Sequence, residues 1–115
     1  MAEVVYFVRD LLFVSKIREA ADRLGVAVVP ARDLDTLERE SAGARLVIVD
    51  LRLAEAPAAL ERIARTAPTL PQATVGFADH ERLDLMETAR ALGCTRVMAK
   101  GQFATELPRL LVPEG

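Results

Sequence analysis

Three charged residues stand where apolar runs stop. Asp10 follows Val4-Val5-Tyr6-Phe7-Val8-Arg9, Asp50 follows Leu46-Val47-Ile48-Val49, and Lys100 follows Val97-Met98-Ala99. Two carboxylates and an ammonium brought to one place suit a divalent cation with a phosphoryl group. Carboxylate oxygens are hard ligands for Mg²⁺, and a lysine pairs with phosphate as a compact point charge. The lysine draws notice for a second reason: the chain has thirteen Arg and only two Lys, Lys16 and Lys100. Each of the three has a plainer reading too. Asp10 is a favoured N-cap before Leu11, Asp50 can cap the loop after its strand, and Lys100 can be a surface lysine.

Whether the three meet depends on the elements that carry them. Val4 to Val8 is a continuous β-branched and aromatic run, the pattern of a strand buried on both faces. Val14, Ile17, Ala21 and Leu24 recur at helical spacing, and Gly25 stands where a helix C′ residue belongs. Val26 to Val29 reads as a second strand ended by Pro30. Asp33 to Ala42 reads as a short helix capped by Asp33 or Asp35, with Leu34 and Leu37 inward and Gly43 at its end. Leu46 to Val49 is a third strand. A helix follows from Pro57 through Ile63 to about Thr66, with Pro68 and Pro71 marking its exit. Ala73 to Phe77 is a fourth strand. Asp79 is the expected N-cap of a helix carrying Leu83, Met86, Ala89 and Leu92 and closed by Gly93. Arg96 to Ala99 is a fifth strand. Phe103 to Leu111 is a last helix that Pro108 makes start late or break.

Five apolar strands alternating with amphipathic helices predict an α/β fold: a three-layer, doubly wound, five-stranded parallel sheet covered on both faces. Ligands in such sheets sit beyond the carboxyl ends of the strands, at the topological switch point. The first and third strands are then central, and Asp10, Asp50 and Lys100 are expected in one cleft.

Composition narrows the function. The 115 residues make one domain, 1–115, with no linker, low-complexity tract or long repeat. A single cysteine, Cys94, and a single histidine, His80, exclude an internal disulfide and a Cys/His zinc site. The net charge of −2 with interspersed signs implies no nucleic-acid face. No apolar run nears the roughly 20 residues of a membrane span, and Glu3, Arg9 and Asp10 interrupt any signal peptide, so the expected address is the cytoplasm. There is no G-x-G-x-x-G or Walker motif. The first strand is followed by Asp10-Leu11-Leu12-Phe13 rather than a phosphate-cradling loop, which argues against a flavodoxin-like electron carrier. Ser15 has no His/Asp partner pattern, Cys94 reads as a buried inert thiol, and His80 reads as an exposed first-turn residue. Leu11, Leu12 and Phe13 cannot all face the core of one helix, so at least one is expected to be exposed beside the cleft as an interface.

The strand-end pattern resembles the receiver domain of two-component response regulators over nearly the whole chain. Phe7-Val8-Arg9-Asp10 looks like the end of the first receiver strand, where the family has a pair of acids. Val47-Ile48-Val49-Asp50 looks like the third strand with its phospho-acceptor aspartate. Ala89-Arg90-Ala91-Leu92-Gly93-Cys94 and Val97-Met98-Ala99-Lys100 resemble the run up to the fifth-strand lysine, with the family's spacing of seven from Gly93 to Lys100. Phe103 resembles the start of the last helix. The resemblance implies a flavodoxin-like (βα)5 fold with strand order 2-1-3-4-5. It also implies Asp50 as acceptor, Lys100 pairing phosphate, and Asp10 with Asp50 as Mg²⁺ ligands.

The departures shape the expectation. Arg9 replaces one acid, the switch hydroxyl falls at Phe77 or Ala78, and Gly101 stands where proline follows the lysine. Arg9 is read as a metal mimic, a partner holding Asp50 ionised, or a plain surface cation. The reading is a stand-alone, non-enzymatic pseudo-receiver with a degenerate Mg²⁺ and phosphate pocket. It works through a protein partner, a kinase or output protein, and is compatible with a homodimer through Arg90, Arg96 and Glu87. The alternatives are a phosphorylatable single-domain regulator, and a small anion-binding protein or enzyme on the same sheet.

Overall fold

A computed structural model describes residues 3–66 and 73–112. Its elements, in chain order, are β1 (Val4–Phe7), α1 (Leu11–Leu24), β2 (Val28–Pro30), α2 (Leu34–Ser41), β3 (Leu46–Asp50), α3 (Ala56–Ala64), β4 (Ala73–Ala78), α4 (Leu83–Ala91), β5 (Arg96–Ala99) and α5 (Lys100–Leu111). The strands form one parallel sheet in the order β2-β1-β3-β4-β5, as expected. Pro68 and Pro71 lie outside the described residues.

Alternation along the central strands divides the core. Val4, Tyr6 and Val8 point to one face of the sheet, with Leu46 and Ile48, and meet α1 and α5 through Phe13, Ile17, Phe103, Leu107 and Leu111. Val5 and Phe7 point to the other face, with Val47 and Val49, and meet α2, α3 and α4 through Leu37, Leu60, Ile63 and Met86. Burial on both faces is why β1 and β3 read as unbroken apolar runs rather than alternating ones.

Sequence signals placed most element ends. Asp33 caps α2 by accepting from the Thr36 N–H at 2.7 Å. Gly25 closes α1 in the left-handed region, φ 70°, where an L side chain is disfavoured. Other ends moved. The second strand starts at Val28, because Val26 turns its N–H back to the Ala21 carbonyl at the end of α1. Pro30 lies inside that strand, opposite Tyr6, which an edge strand tolerates. Leu24 and Leu83 are exposed rather than core-facing. The last helix starts at Lys100 and continues through Pro108. Phe103, Leu107 and Leu111, all buried, hold its two halves on the sheet against a proline cost of roughly 3 kcal/mol.

One contact sets the height of the loop after β3. A Cβ added at Gly76 would lie 2.8 Å from Leu51 Cδ2 and 2.9 Å from its Cδ1 and Cγ. Leu51 is buried, and its N–H donates to the Phe77 carbonyl at 2.9 Å, so the side chain has little room to withdraw. Gly76→Ala is therefore expected to destabilise the domain by about 1–3 kcal/mol through overpacking. Urea denaturation would read this as a lower midpoint at unchanged slope, and an unchanged midpoint would show the loop to be loosely held.

Candidate functional site

The carboxyl ends of β1 and β3 deliver Asp10 and Asp50 to the same edge of the sheet. Phe7 is paired with Val49 in register, which puts the two exits side by side. Asp10 caps α1: its Oδ1 accepts from the Leu12 N–H at 2.9 Å. Asp50 is the last residue of β3, and only 3% of its side chain is exposed. Its Oδ1 accepts from the Arg52 N–H at 2.9 Å. Each carboxylate thus fixes the backbone two residues on, the turn that aspartate favours at such exits.

The group between them is Arg52. Its Nε donates to Asp50 Oδ1 at 2.9 Å and its Nη2 to Asp50 Oδ2 at 2.8 Å, a two-pronged fork on one carboxylate. The same Nη2 lies 3.0 Å from Asp10 Oδ2. The guanidinium carbon is 5.3 Å from the ring centre of Phe13 and 5.6 Å from that of Phe77, a cation–π placement. Below it, Phe77 stacks on Phe103 with centroids 4.4 Å apart, and Phe13 sits 4.8 Å from Phe77.

The charges tune one another. Partial desolvation of Asp10 acts to raise its pKa. Donation from Arg52 and from the Leu12 and Phe13 amides outweighs it and holds the carboxyl below its ordinary value. Arg52 is held firmly in its charged form, chiefly by its hydrogen bonds to Asp50, against burial acting the other way. Asp79 is held low by Lys100, with smaller help from Arg52 and Arg82.

The sequence expectations divide accordingly. Asp10 and Asp50 converge. Lys100 takes a different carboxylate: it is the first residue of α5, and its Nζ pairs with Asp79 Oδ1 at 2.8 Å. Asp79 is consequently not the cap of α4, whose N-cap position is Arg82 with no side-chain cap bond. Arg9 does not pair with Asp50 either. It reaches Glu55, at the N-cap position of α3, at 3.1 Å and the Arg32 carbonyl at 3.0 Å. Its guanidinium lies 5.0 Å from the Phe7 ring, on the opposite side of β1 from Phe13. Alternation decides this: Phe7 faces α2 and α3, and Arg9 follows it to that face. Phe77 and Ala78, both fully buried, are the positions where the resemblance puts a switch hydroxyl.

Other readings are settled by burial. Leu11 and Leu12 are 82% and 61% exposed beside Asp10, while Phe13 is buried. His80 is exposed, 3.7 Å from Glu81. Cys94 is buried, and desolvation pushes its thiol up to about 11, which leaves it unreactive. Arg96 pairs with Glu106 of its own chain at 3.1 Å. Arg52 is the site residue missing from the sequence expectations. Its signal was present: an arginine two residues after a strand-terminal aspartate reaches that carboxylate when the intervening backbone turns.

No family model and no curated protein sequence matches the chain. Solved structures do. The receiver domain of NtrX from Brucella abortus superposes with a TM-score of 0.73 at 21% identity, over 90% of this chain and 90% of that one. A Burkholderia pseudomallei response regulator, solved with a phosphorylated aspartic acid, calcium and citrate, gives 0.72 at 17% identity over 97% of this chain and 67% of that one. The receiver domain of a Pseudomonas aeruginosa sensor histidine kinase, solved with magnesium in its active-site cleft, gives 0.70 at 17% identity over 96% and 98%. The fold is that of response-regulator receiver domains.

Such neighbours raise the question of a divalent cation here. Among the described residues no group of three or more acidic, histidine or cysteine side chains is placed to hold a metal ion. The two carboxylates that come together present their facing oxygens to the same guanidinium nitrogen. As arranged, these residues do not fit Mg²⁺.

The arrangement predicts a pH signature. The folded-state pKa of Asp10 and of Asp79 lies below the ordinary 3.8. Both groups therefore contribute stability that is present above pH 3.8 and is lost as pH falls through the folded values. A carboxyl ¹³C NMR titration is expected to place the Asp10 midpoint below 3.8 in the wild type, and to move it up in Arg52→Met. A midpoint indifferent to that substitution would remove Arg52 from the account.

Proposed function

We propose that the chain is a receiver-like signalling domain acting through protein–protein contacts, with Asp50 at the phospho-acceptor position of a degenerate pocket. One observation carries the reading. The Asp50 carboxylate is buried and both of its oxygens are taken by Arg52. An attacking carboxylate must present a free oxygen, in line, to a phosphoryl group whose charge is shielded, in this chemistry usually by Mg²⁺. Here the shielding cation is a side chain already bound to the nucleophile.

The departures support the same reading. Arg9 stands in place of an acid and is drawn away to Glu55. Neither Phe77 nor Ala78 offers a hydroxyl to respond to a phosphoryl oxygen, and the stacking of Phe77 on Phe103 resists movement. Lys100, the residue for pairing phosphate, is engaged with Asp79. The domain is then no enzyme, and its messages pass through surfaces. Exposed Leu11 and Leu12 at the start of α1, next to the pocket, suit a kinase or output protein as partner. No helix among the described residues is long and apolar enough to cross a membrane, and we place the domain in the cytoplasm. A homodimer through α4 and β5 would have to use Arg90 and Glu87, since Arg96 is paired within the chain.

A second reading, a phosphorylatable regulator, draws on Asp10 and Asp50 converging at the strand ends and on the phosphorylated neighbour described above. Intact mass after incubation with acetyl phosphate and Mg²⁺ separates the two, sampled at several short times. No adduct of one phosphoryl group is expected. An adduct on the wild type that is absent from Asp50→Asn would establish the second reading and dismiss the first.

A further inference from the structure

We infer that Arg52 is the resident cation of this pocket: its guanidinium joins Asp10 to Asp50 in the place a divalent ion would take, and closes the site to free metal. The inference rests on the degenerate-pocket reading, but it concerns cation binding and stability rather than phosphoryl transfer.

The charge balance favours it. Asp50 is 3% exposed, and a buried carboxylate that is neither paired nor solvated is costly. Arg52 supplies one full charge through two prongs, and the Arg52 backbone N–H supplies a third donor. Asp10 needs less. It is about one-third exposed, the Leu12 N–H holds one of its oxygens, and it sits at the positive end of α1. One guanidinium is then enough where two fully buried carboxylates would demand a divalent ion.

The geometry makes the two cations exclusive. Nη2 lies 2.8 Å from Asp50 Oδ2 and 3.0 Å from Asp10 Oδ2. A metal bridging those oxygens would have to displace it, and would meet like charge if it did not. Mg²⁺ is a poor competitor, since it sheds water reluctantly and wants near-octahedral oxygen ligation. Arg52 is tethered two residues from Asp50, so its local concentration far exceeds any millimolar ion. The other nearby cations have carboxylates of their own: Lys100 pairs with Asp79 and Arg9 with Glu55.

The test follows thermal unfolding of the wild type, Arg52→Met and Arg52→Met/Asp50→Asn, each in EDTA and in 10 mM MgCl₂ (about), at ionic strength matched with NaCl. The wild-type midpoint is expected to be the same in both media within about 1 °C. Arg52→Met should unfold about 5 °C or more lower in EDTA, since two carboxylates then face each other unpaired, and should recover part of that loss in Mg²⁺. Adding Asp50→Asn should raise the midpoint of Arg52→Met and abolish its response to Mg²⁺. Saturable stabilisation of the wild type by Mg²⁺ would overturn the inference, as would an Arg52→Met protein as stable as the wild type. If Arg52→Met does not fold, rescue by Asp50→Asn supports charge balance, and failure of both to fold overturns it in favour of packing. The two proposals fail separately. A phosphoryl adduct on a wild type indifferent to Mg²⁺ defeats the degenerate reading of transfer alone. Mg²⁺ stabilisation with no adduct defeats the resident cation alone.

Discussion

A carboxylate at the end of a central strand has to be neutralised where it stands. Asp50 is flanked by β1 and β4 and covered by the loop that follows it, so solvent cannot do the work. The local chain answers with a turn. Asp50 Oδ1 takes the Arg52 N–H, and that turn aims the Arg52 side chain back onto the same carboxylate. The fork then has one nitrogen facing Asp10, which ties the exit of β3 to the start of α1. Backbone turn, ion pair and inter-element link follow from a single buried charge. A buried ion pair is weak evidence of net stability, because desolvating both partners offsets much of their attraction. Its effect lies in what it forbids: removing either partner alone strands the other.

The rest of the fold sets the stage for that charge. The parallel ladder places Phe7 beside Val49, and Asp50 beside Phe77, so strand ends meet at one edge. Gly76 lets Leu51 settle against β4, which keeps the loop carrying Arg52 low over the sheet. Phe13, Phe77 and Phe103 floor the site and give the guanidinium ring faces to rest on. Arg52 is weakly enough hydrated to accept that setting, as an ammonium would not.

The sequence made the architecture plain and the site only half so. Apolar runs at Val4 to Val8 and Leu46 to Val49, and turn signals at Asp33 and Gly25, are local. They state strand, helix and boundary within a few residues, while the strand order comes from the resemblance to receiver domains and matches the order found. Asp10 and Asp50 were legible because strand ends are where such sheets gather chemistry. The pairing of cations was not. Arg9, Arg52 and Lys100 each stand near a carboxylate in the chain, and which partner each takes depends on the face its strand presents and on where a helix begins. Arg9 goes to the Phe7 face and finds Glu55. Lys100 is the first residue of α5 rather than the last of β5, and it meets Asp79. Rarity drew attention to the lysine, while abundance concealed the one arginine that mattered.

Those pairings bear on how such a domain can speak to a partner. A switch needs an element with two arrangements of nearly equal energy, and a ligand that prefers one of them. Phe77, one of the two positions where the resemblance puts a switch hydroxyl, is packed face to face on Phe103 of α5. Turning either ring out of that stack would open space in a close-packed core. The same cluster that supports Arg52 therefore packs β4 against α5. If the domain signals as proposed, the surface around α1 and the strand ends, where Leu11 and Leu12 are exposed, is what a partner would read.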